Sequence, residues 1–170
     1  MIQIEGFMPA AGLEVLRGLA AGHRVVEVGV WKGRTALAMA ETGRSVWAID
    51  HFRGDRYTGV ANTLPECWQN MRNHPMGDRV RLLAARWEEV WPVLDLAHFD
   101  LLFYDGDHDY EPTAQWLADT MRRAKPDAVI VLDDYSSRYP QVIQAVADCL
   151  TGCQRRLRAE GALCILEPIG

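Results

Sequence analysis

The stretch RVVEVGVWKGRTALAMAET, residues 24–42, decides the fold, because it joins a buried strand to a helix through a glycine turn. Residues 24–28 are mostly valine, which predicts a short buried strand. Residues 34–42 are rich in alanine, which predicts a helix. Between them, Gly29 allows a sharp turn and the close approach of a ligand to the backbone, and Gly33 precedes the helix. Free N–H groups at the start of such a helix can face a polar or anionic ligand.

The same alternation of strand and helix continues along the chain. Further strands are predicted at 45–49, 80–84, 99–104 and 128–132, and further helices at 66–73, 87–94, 113–124 and 141–150. Residues 155–166 predict a hairpin around Glu160–Gly161. This order favours an α/β fold with a Rossmann-like, doubly wound, mostly parallel sheet and an antiparallel C-terminal hairpin. We expect a single domain over residues 1–170, with an N-terminal helical segment over 1–23 and the core over 24–170.

The composition is that of an acidic globular protein. The formal net charge is −5, and a compact acidic chain lacks the basic surface that phosphate contacts require. We therefore expect no nucleic-acid partner, and the cluster Arg155, Arg156 and Arg158 is more simply a solvated surface. Neither a membrane-length apolar run nor a basic leader is present, and the four cysteines form no Cys-x-x-Cys pair. These features predict no membrane partner and a cytoplasmic location.

The glycine turn matches neither of two common nucleotide-binding motifs. A dinucleotide-binding Gly-x-Gly-x-x-Gly would need glycine where Trp31 stands, and no Gly-Lys-Ser/Thr closes the turn as in a P-loop. Asp50 ends the second predicted strand, about 20 residues beyond Gly29, where a carboxylate can accept the hydroxyls of a ribose. A simple strand–helix turn and a capping aspartate remain the alternatives for each feature taken singly. Together, they favour an adenosine-type ligand.

The turn and Asp50 resemble the class I S-adenosylmethionine-dependent methyltransferases. The resemblance rests on the pattern E-x-G-x-x-x-G-x-T over residues 27–35 together with Asp50, and it extends from about residue 24 to the end. It implies that Gly29 lies under the methionine portion of the cofactor, that Glu27 approaches its amino-acid end and that Asp50 holds the ribose. Trp87, after the third strand, would pack near the adenine. The full cofactor set that this resemblance implies is Glu27, Gly29, Gly33, Asp50, His51, Trp87 and Asp105.

Several carboxylates follow the fourth and fifth predicted strands. Asp105 follows one strand, and Asp133 and Asp134 follow the next. Adjacent parallel strands would bring the three side chains together, and crowded carboxylates raise one another's pKa values. A divalent cation removes that conflict, and oxygen ligands suit Mg²⁺, with Mn²⁺ as a substitute. The alternative is that these aspartates cap helices or lie solvated on loops.

The run DGDHDYE, residues 105–111, resembles a subgroup of metal-dependent small-molecule and sugar O-methyltransferases that includes macrocin O-methyltransferase-like enzymes. The resemblance implies that Asp105, Asp133 and Asp134 hold Mg²⁺ and that Asp107 is the catalytic base. His108 is a rival base, because its ordinary pKa lies near neutrality, although a structural role is favoured.

The sequence therefore predicts an S-adenosylmethionine-dependent, Mg²⁺-assisted O-methyltransferase of a small hydroxylated molecule. The region before the first strand and the insertion at 52–65 are short, so the substrate is small, or the site is open, or a second subunit of a homodimer supplies a wall. The aromatic candidates for lining the pocket are Trp31, Tyr57, Trp68 and Tyr135, although core packing is the better default for Trp68. A non-catalytic module that binds S-adenosylmethionine or S-adenosylhomocysteine is the alternative. An NAD-dependent oxidoreductase is disfavoured by Trp31.

Overall fold

The computed structural model of the protein describes residues 4–54 and 59–169. Within these ranges, α-helices lie at α1 Ala10–Ala20, α2 Arg34–Thr42, α3 Leu64–Asn73, α4 Trp87–Val90, α5 Tyr110–Arg123 and α6 Pro140–Leu150. Seven strands lie at β1 Arg24–Val28, β2 Ser45–Asp50, β3 Val80–Ala84, β4 Leu101–Tyr104, β5 Val129–Leu132, β6 Arg155–Glu160 and β7 Leu163–Pro168.

The strands form one sheet in the order β3-β2-β1-β4-β5-β7-β6. The first five strands are parallel, whereas β7 runs antiparallel to both β5 and β6. The α/β fold with an antiparallel C-terminal hairpin is therefore confirmed. Strand order reverses between β1 and β4, and in open α/β sheets ligands bind at the carboxyl ends of the strands beside such a switch point.

Alternate residues of the central strands enter two separate cores, one on each face of the sheet. On β4, Leu101 and Phe103 belong to the core that α1 and α2 cover. Leu102 and Tyr104 point the other way, into the core that contains Trp116 of α5. Successive side chains of a β-strand point to opposite faces of the sheet. Because both faces are buried here, the central strands are almost wholly apolar. The two cores hold the carboxyl ends of β1, β4 and β5 at one fixed edge.

The largest differences from the predicted helix boundaries are at α4 and α5. Helix α5 begins at Tyr110 rather than at residue 113, because a proline in the first turn needs no intrahelical N–H partner and Pro112 is tolerated there. The helix predicted over 87–94 ends at Val90 and continues as a 3₁₀ turn, in which Pro92 removes a donor. Within the described ranges, no helix combines the length and the apolar character needed to cross a bilayer.

Candidate active site

The carboxyl ends of β1, β2, β4 and β5 open onto a cavity of about 540 Å³. Most of the predicted site residues line it, although they lie far apart in the chain. Those that line the cavity are Gly29, Asp50, His51, Trp87, Asp105, Asp107, His108, Asp133 and Asp134. Glu27 and Gly33 do not line it. The predicted convergence at one edge of the sheet is therefore present.

Gly29 is required where β1 meets the loop that follows β4. Its φ is +87°, and a Cβ atom there would lie 1.8 Å from the carbonyl oxygen of Asp105. Any other residue would push the two strand ends apart. Gly33 also has a left-handed φ of +89°, but a Cβ atom there would meet the side chains of Met71 and Cys67. Gly33 therefore allows α2 to approach α3, which affects the cavity only indirectly.

Asp50 shapes the cavity by accepting hydrogen bonds from the loop around it. Its Oδ2 accepts the backbone N–H groups of Val30 and Trp31, both at 2.8 Å, and its Oδ1 accepts that of Phe52 at 2.6 Å. Trp31 and Phe52 are non-glycine residues with φ values of +48° and +57°, a conformation that costs free energy without such support. Asp50 thus holds two loops, in addition to the ribose role predicted for it. An aspartate two residues before a turn residue was the available sequence signal for this structural role.

Replacing Asp50 with alanine is expected to weaken S-adenosylmethionine binding at least tenfold and to lower the melting temperature. The substitution removes the acceptor of three N–H groups, and each unpaired buried donor costs about 1–3 kcal/mol. Isothermal titration and thermal unfolding measure the two effects. Asp50→Asn retains one acceptor oxygen and should lie between the wild type and Asp50→Ala, and equal cofactor affinity in all three proteins would contradict the assigned role.

Glu27 is a fully buried carboxyl group on β1. The hydroxyl of Thr35 donates a hydrogen bond to its Oε1, whereas its Oε2 has no partner among the described residues. Burial raises the pKa of Glu27 to about 8, and the nearby charge of Asp50 adds to the rise, although the Thr35 hydrogen bond opposes it. Glu27 is therefore mostly protonated at neutral pH when no ligand is present.

Three aspartates crowd the rim formed by the ends of β4 and β5. Burial, followed by the charges of Asp133 and Asp134, raises the pKa of Asp105 well above its ordinary value. Burial also raises the pKa of Asp133 to about 6. His108 pairs with Asp134 through its Nε2. One ligand atom each of Asp105, His108 and Asp134 lies within 4.8 Å of the others. The structure thus brings two of the three predicted metal ligands together with His108, which the sequence analysis placed as a rival base or structural residue.

A tight turn at the start of α5 positions Asp107. Its Oδ1 accepts the backbone N–H of Asp109 at 3.0 Å, and its carbonyl oxygen accepts the Thr113 hydroxyl at 3.1 Å. The Asp107 side chain remains exposed at the cavity, so one carboxylate oxygen is available to a ligand. The His108 ring stacks on Tyr139 with centroids 4.4 Å apart. The turn therefore fixes two neighbouring groups, one carboxylate and one imidazole, beside the rim.

The aromatic wall differs from the one expected. Trp31 lines the cavity, whereas Trp68 is 56% exposed on α3 and Tyr135 packs against the core beneath the sheet edge. Tyr57 lies outside the described residues. Tyr135 does not line the cavity, and Trp68 neither lines it nor packs in the core as was favoured, because an aromatic residue near a site in sequence can point to either side of its backbone. Trp87 lines the cavity as predicted and contacts Tyr104 edge to face, with centroids 6.3 Å apart.

An N-terminal segment, residues 6–9, forms part of the cavity wall, and the sequence analysis did not find it. The Arg34 guanidinium donates to the Gly6 carbonyl oxygen at 2.7 Å, and Lys32 pairs with Glu5 at 2.6 Å. Phe7 is 75% exposed, and its ring lies 4.8 Å from that of Trp31. The basic residues of the glycine turn therefore fasten this segment at the mouth of the cavity. The early Glu5 and the exposed Phe7 gave no pattern from which this could be read.

Comparisons with known proteins agree with this geometry. A family model described as a methyltransferase domain matches residues 26–135. An 8-demethyl-8-(2,3-dimethoxy-alpha-L-rhamnosyl)-tetracenomycin-C 4'-O-methyltransferase of Streptomyces olivaceus is 25% identical over 138 residues, covering 66% of this chain and 52% of the relative. A release factor glutamine methyltransferase of Gloeobacter violaceus (strain ATCC 29082 / PCC 7421) is 26% identical over 165 residues, covering 81% and 55%. The chain thus spans about half the length of these curated relatives.

Among solved structures, the O-methyltransferase NovP superposes with a TM-score of 0.76 at 22% identity, covering 93% of this chain and 79% of that one. This likeness supports the fold. The family model matches more than half of the chain, and it spans the glycine turn, Asp50 and the acidic rim as far as Tyr135. The protein therefore belongs to this family of methyltransferase domains, as the sequence predicted.

Proposed function

We propose that this protein transfers the methyl group of S-adenosylmethionine to a hydroxyl oxygen of a small molecule. The observation that carries the proposal is the convergence on one cavity of the glycine turn after β1, Asp50 after β2 and the acidic rim after β4 and β5. An adenosyl ligand needs the first two features. The acidic rim offers more carboxylates than cofactor binding alone needs, and it suits a site where a cationic donor and a proton-bearing acceptor meet.

The cavity matches the charge of the proposed cofactor. S-adenosylmethionine carries a positive sulfonium and an ammonium group, and the buried Glu27 and the aspartates of the rim favour positive charge. Gly29 lets the cofactor approach the backbone, Asp50 offers its remaining acceptor capacity to the ribose, and Trp87 is placed to pack near the adenine. His51 lines the same cavity, and Gly33 lets α2 approach α3. Binding of the positively charged cofactor would favour the deprotonated form of Glu27.

The rim residues also fit a divalent cation. No described lysine or arginine pairs with Asp105, Asp133 or Asp134, and the Asp105 carboxylate accepts no hydrogen bond from the residues that the structure describes. Such a carboxylate group is stabilised by a metal ion. Asp105, Asp133 and Asp134 would hold Mg²⁺ or Mn²⁺, as the resemblance implies. A bound cation would orient acceptor oxygens and lower the pKa of the hydroxyl that reacts.

The chemistry is a single displacement. The acceptor oxygen forms a bond to the methyl carbon while the carbon–sulfur bond breaks, which leaves S-adenosylhomocysteine and a methyl ether. Asp107 takes the hydroxyl proton through the oxygen that the Asp109 amide leaves available. The loops held by Asp50 fix one reactant and the turn at Asp107 fixes the other, and holding reactants in line supplies much of the rate.

A methyl-transfer screen tests the proposal. We expect the purified full chain to release S-adenosylhomocysteine with one or more compounds from a panel of hydroxylated sugars, phenols and polyketides, and to lose this activity in EDTA. The methylated product, identified by mass spectrometry, should carry the methyl group on oxygen. Methylation of a nitrogen acceptor only, or activity that EDTA leaves unchanged, would contradict the acceptor or the metal, respectively. Cofactor binding without transfer to any acceptor would favour the non-catalytic module.

A further inference from the structure

We propose that His108 is a direct metal ligand, so that the rim binds a first-row transition-metal cation through two carboxylates and one imidazole. The ligand set is Asp105, His108 and Asp134. It differs from the all-carboxylate set that the sequence resemblance implies, in which Asp133 is the third ligand. The inference rests on the proposed function only in that it concerns the same cavity, and metal binding can be measured without turnover.

The ligand atoms of the three side chains are close enough together to share one cation. One ligand atom from each lies within 4.8 Å of the other two. In an octahedral site with metal–ligand distances of about 2.1 Å, adjacent donor atoms lie roughly 3 Å apart and opposite ones about 4.2 Å apart. The observed bound of 4.8 Å is close to this range of distances. His108 already contacts Asp134 through Nε2, a nitrogen that can bind metal in place of that contact.

The His108 ring is held in place by its surroundings. It stacks on the Tyr139 ring, with an interplanar angle of 21°. Its backbone lies in the turn that the Asp109 amide and the Thr113 hydroxyl fasten to Asp107. A ring that is already held in one orientation has less freedom to lose when it binds a metal. A general base that must reach varied acceptors gains less from a ring fixed against a carboxylate of the rim.

Charge supplies an independent reason for a cation here. The Asp105 carboxylate lies among acidic neighbours and receives no hydrogen bond from the described part of the chain. The carboxylates of Asp105, Asp133 and Asp134 meet at the ends of adjacent strands, no described lysine or arginine pairs with them, and their mutual repulsion costs free energy. A divalent cation held between Asp105 and Asp134 removes that cost. Asp133 then contributes negative charge next to the site without being needed as a ligand.

The imidazole decides which cation is preferred. Mg²⁺ prefers oxygen ligands and near-ideal octahedral geometry, whereas imidazole nitrogen suits first-row transition metals. Two carboxylates and one histidine therefore favour Mn²⁺, Fe²⁺ or Co²⁺ over Mg²⁺. The difference in affinity between Mn²⁺ and Mg²⁺ can be measured on the protein alone.

Mn²⁺ is the probe for the test, because its electron spin reports directly coordinated nitrogen. The full chain, stripped of metal with a chelating resin, is titrated with Mn²⁺ and studied by electron paramagnetic resonance with spin-echo modulation. We expect one tightly bound Mn²⁺ with a ¹⁴N coupling, and at least tenfold weaker binding of Mg²⁺ in competition. His108→Gln should abolish the ¹⁴N coupling and weaken Mn²⁺ binding about tenfold or more. His98→Gln, at an exposed position of the same residue type, should change neither.

Three outcomes would overturn the inference: no bound Mn²⁺, bound Mn²⁺ without ¹⁴N coupling in the wild type, or coupling that survives in His108→Gln. The wild-type spectrum needs no variant, so a folding defect in His108→Gln leaves the test intact. Cofactor titration and S-adenosylhomocysteine release on the same preparation separate this inference from the proposed function. Methyl transfer with a metal bound only by oxygen would reject the His108 ligand and keep the methyltransferase.

Discussion

Replacing Asp107 with asparagine is expected to lower kcat by about 10²- to 10⁴-fold, the range in which a general base contributes. Asparagine keeps the oxygen that accepts the Asp109 amide, so the turn at the start of α5 is preserved. It lacks the charge needed to take the acceptor's proton. The dissociation constant for S-adenosylmethionine should stay nearly the same, because that ligand is held mainly by the elements around β1 and β2. Steady-state kinetics and isothermal titration measure the two quantities.

Glu111→Gln is the matched control for this prediction. Glu111 is an exposed carboxylate four residues further along the same segment, and it does not line the cavity. Its substitution should leave kcat unchanged. If Asp107→Asn retained wild-type kcat, the base would be elsewhere. If it lost cofactor affinity as well as turnover, the division of the cavity into a cofactor side and an acceptor side would be wrong.

Replacing Glu27 with glutamine is expected to stabilise the ligand-free protein by roughly 3 kcal/mol at pH 7. The pKa of Glu27 is raised to about 8 in the folded state, so the folded state keeps a proton that the unfolded chain releases above its ordinary pKa of 4.5. Wild-type stability is therefore present in full below about pH 4.5 and falls as the pH rises towards 8. Glutamine stays neutral and can accept the Thr35 hydroxyl, so the variant escapes this loss.

The measurement is denaturant unfolding of both proteins between pH 5 and pH 8. The difference in unfolding free energy should grow by about 1.4 kcal/mol per pH unit over most of this range. Glu14→Gln, at a position whose side chain is 74% exposed, is the control and should show no such growth. A difference that does not change with pH would mean that Glu27 is charged in the folded protein. S-adenosylmethionine should bind more weakly to Glu27→Gln, because the variant cannot supply a negative charge.

Much of the fold could be predicted from the sequence, because local pattern and long-range position agree. The valine-rich β1 and the apolar β5 can only be buried strands, and their alternation with helices permits few sheet topologies. Helix boundaries are harder to predict where a proline affects the backbone more than the hydrophobic pattern does. The helix predicted from residue 113 begins at Tyr110, because its first turn accommodates Pro112. Residues 6–9 form a cavity wall through tertiary contacts with Arg34, and sequence periodicity carries no information about such contacts.

The candidate site was predictable as a set of residues but less so as a set of contacts. Because parallel strands end at one edge, Asp50, Asp105 and Asp133 had to approach the same cavity. Which atoms meet depends on side-chain rotamers and loop turns, and spacing does not determine these. The pairing of His108 with Asp134 is an example, since the two residues follow different strands. The predicted roles in catalysis and metal binding remain predictions for the measurements above.

The three backbone N–H groups that donate hydrogen bonds to Asp50 affect how a ligand binds. Since this carboxylate already fixes the peptide conformations at Val30, Trp31 and Phe52, the receptor surface exists before anything occupies it. Binding then forfeits little chain entropy in that region, and the encounter needs no slow rearrangement of the two loops. The free-energy cost of ordering the left-handed residues Trp31 and Phe52 is therefore met during folding and does not weaken ligand binding.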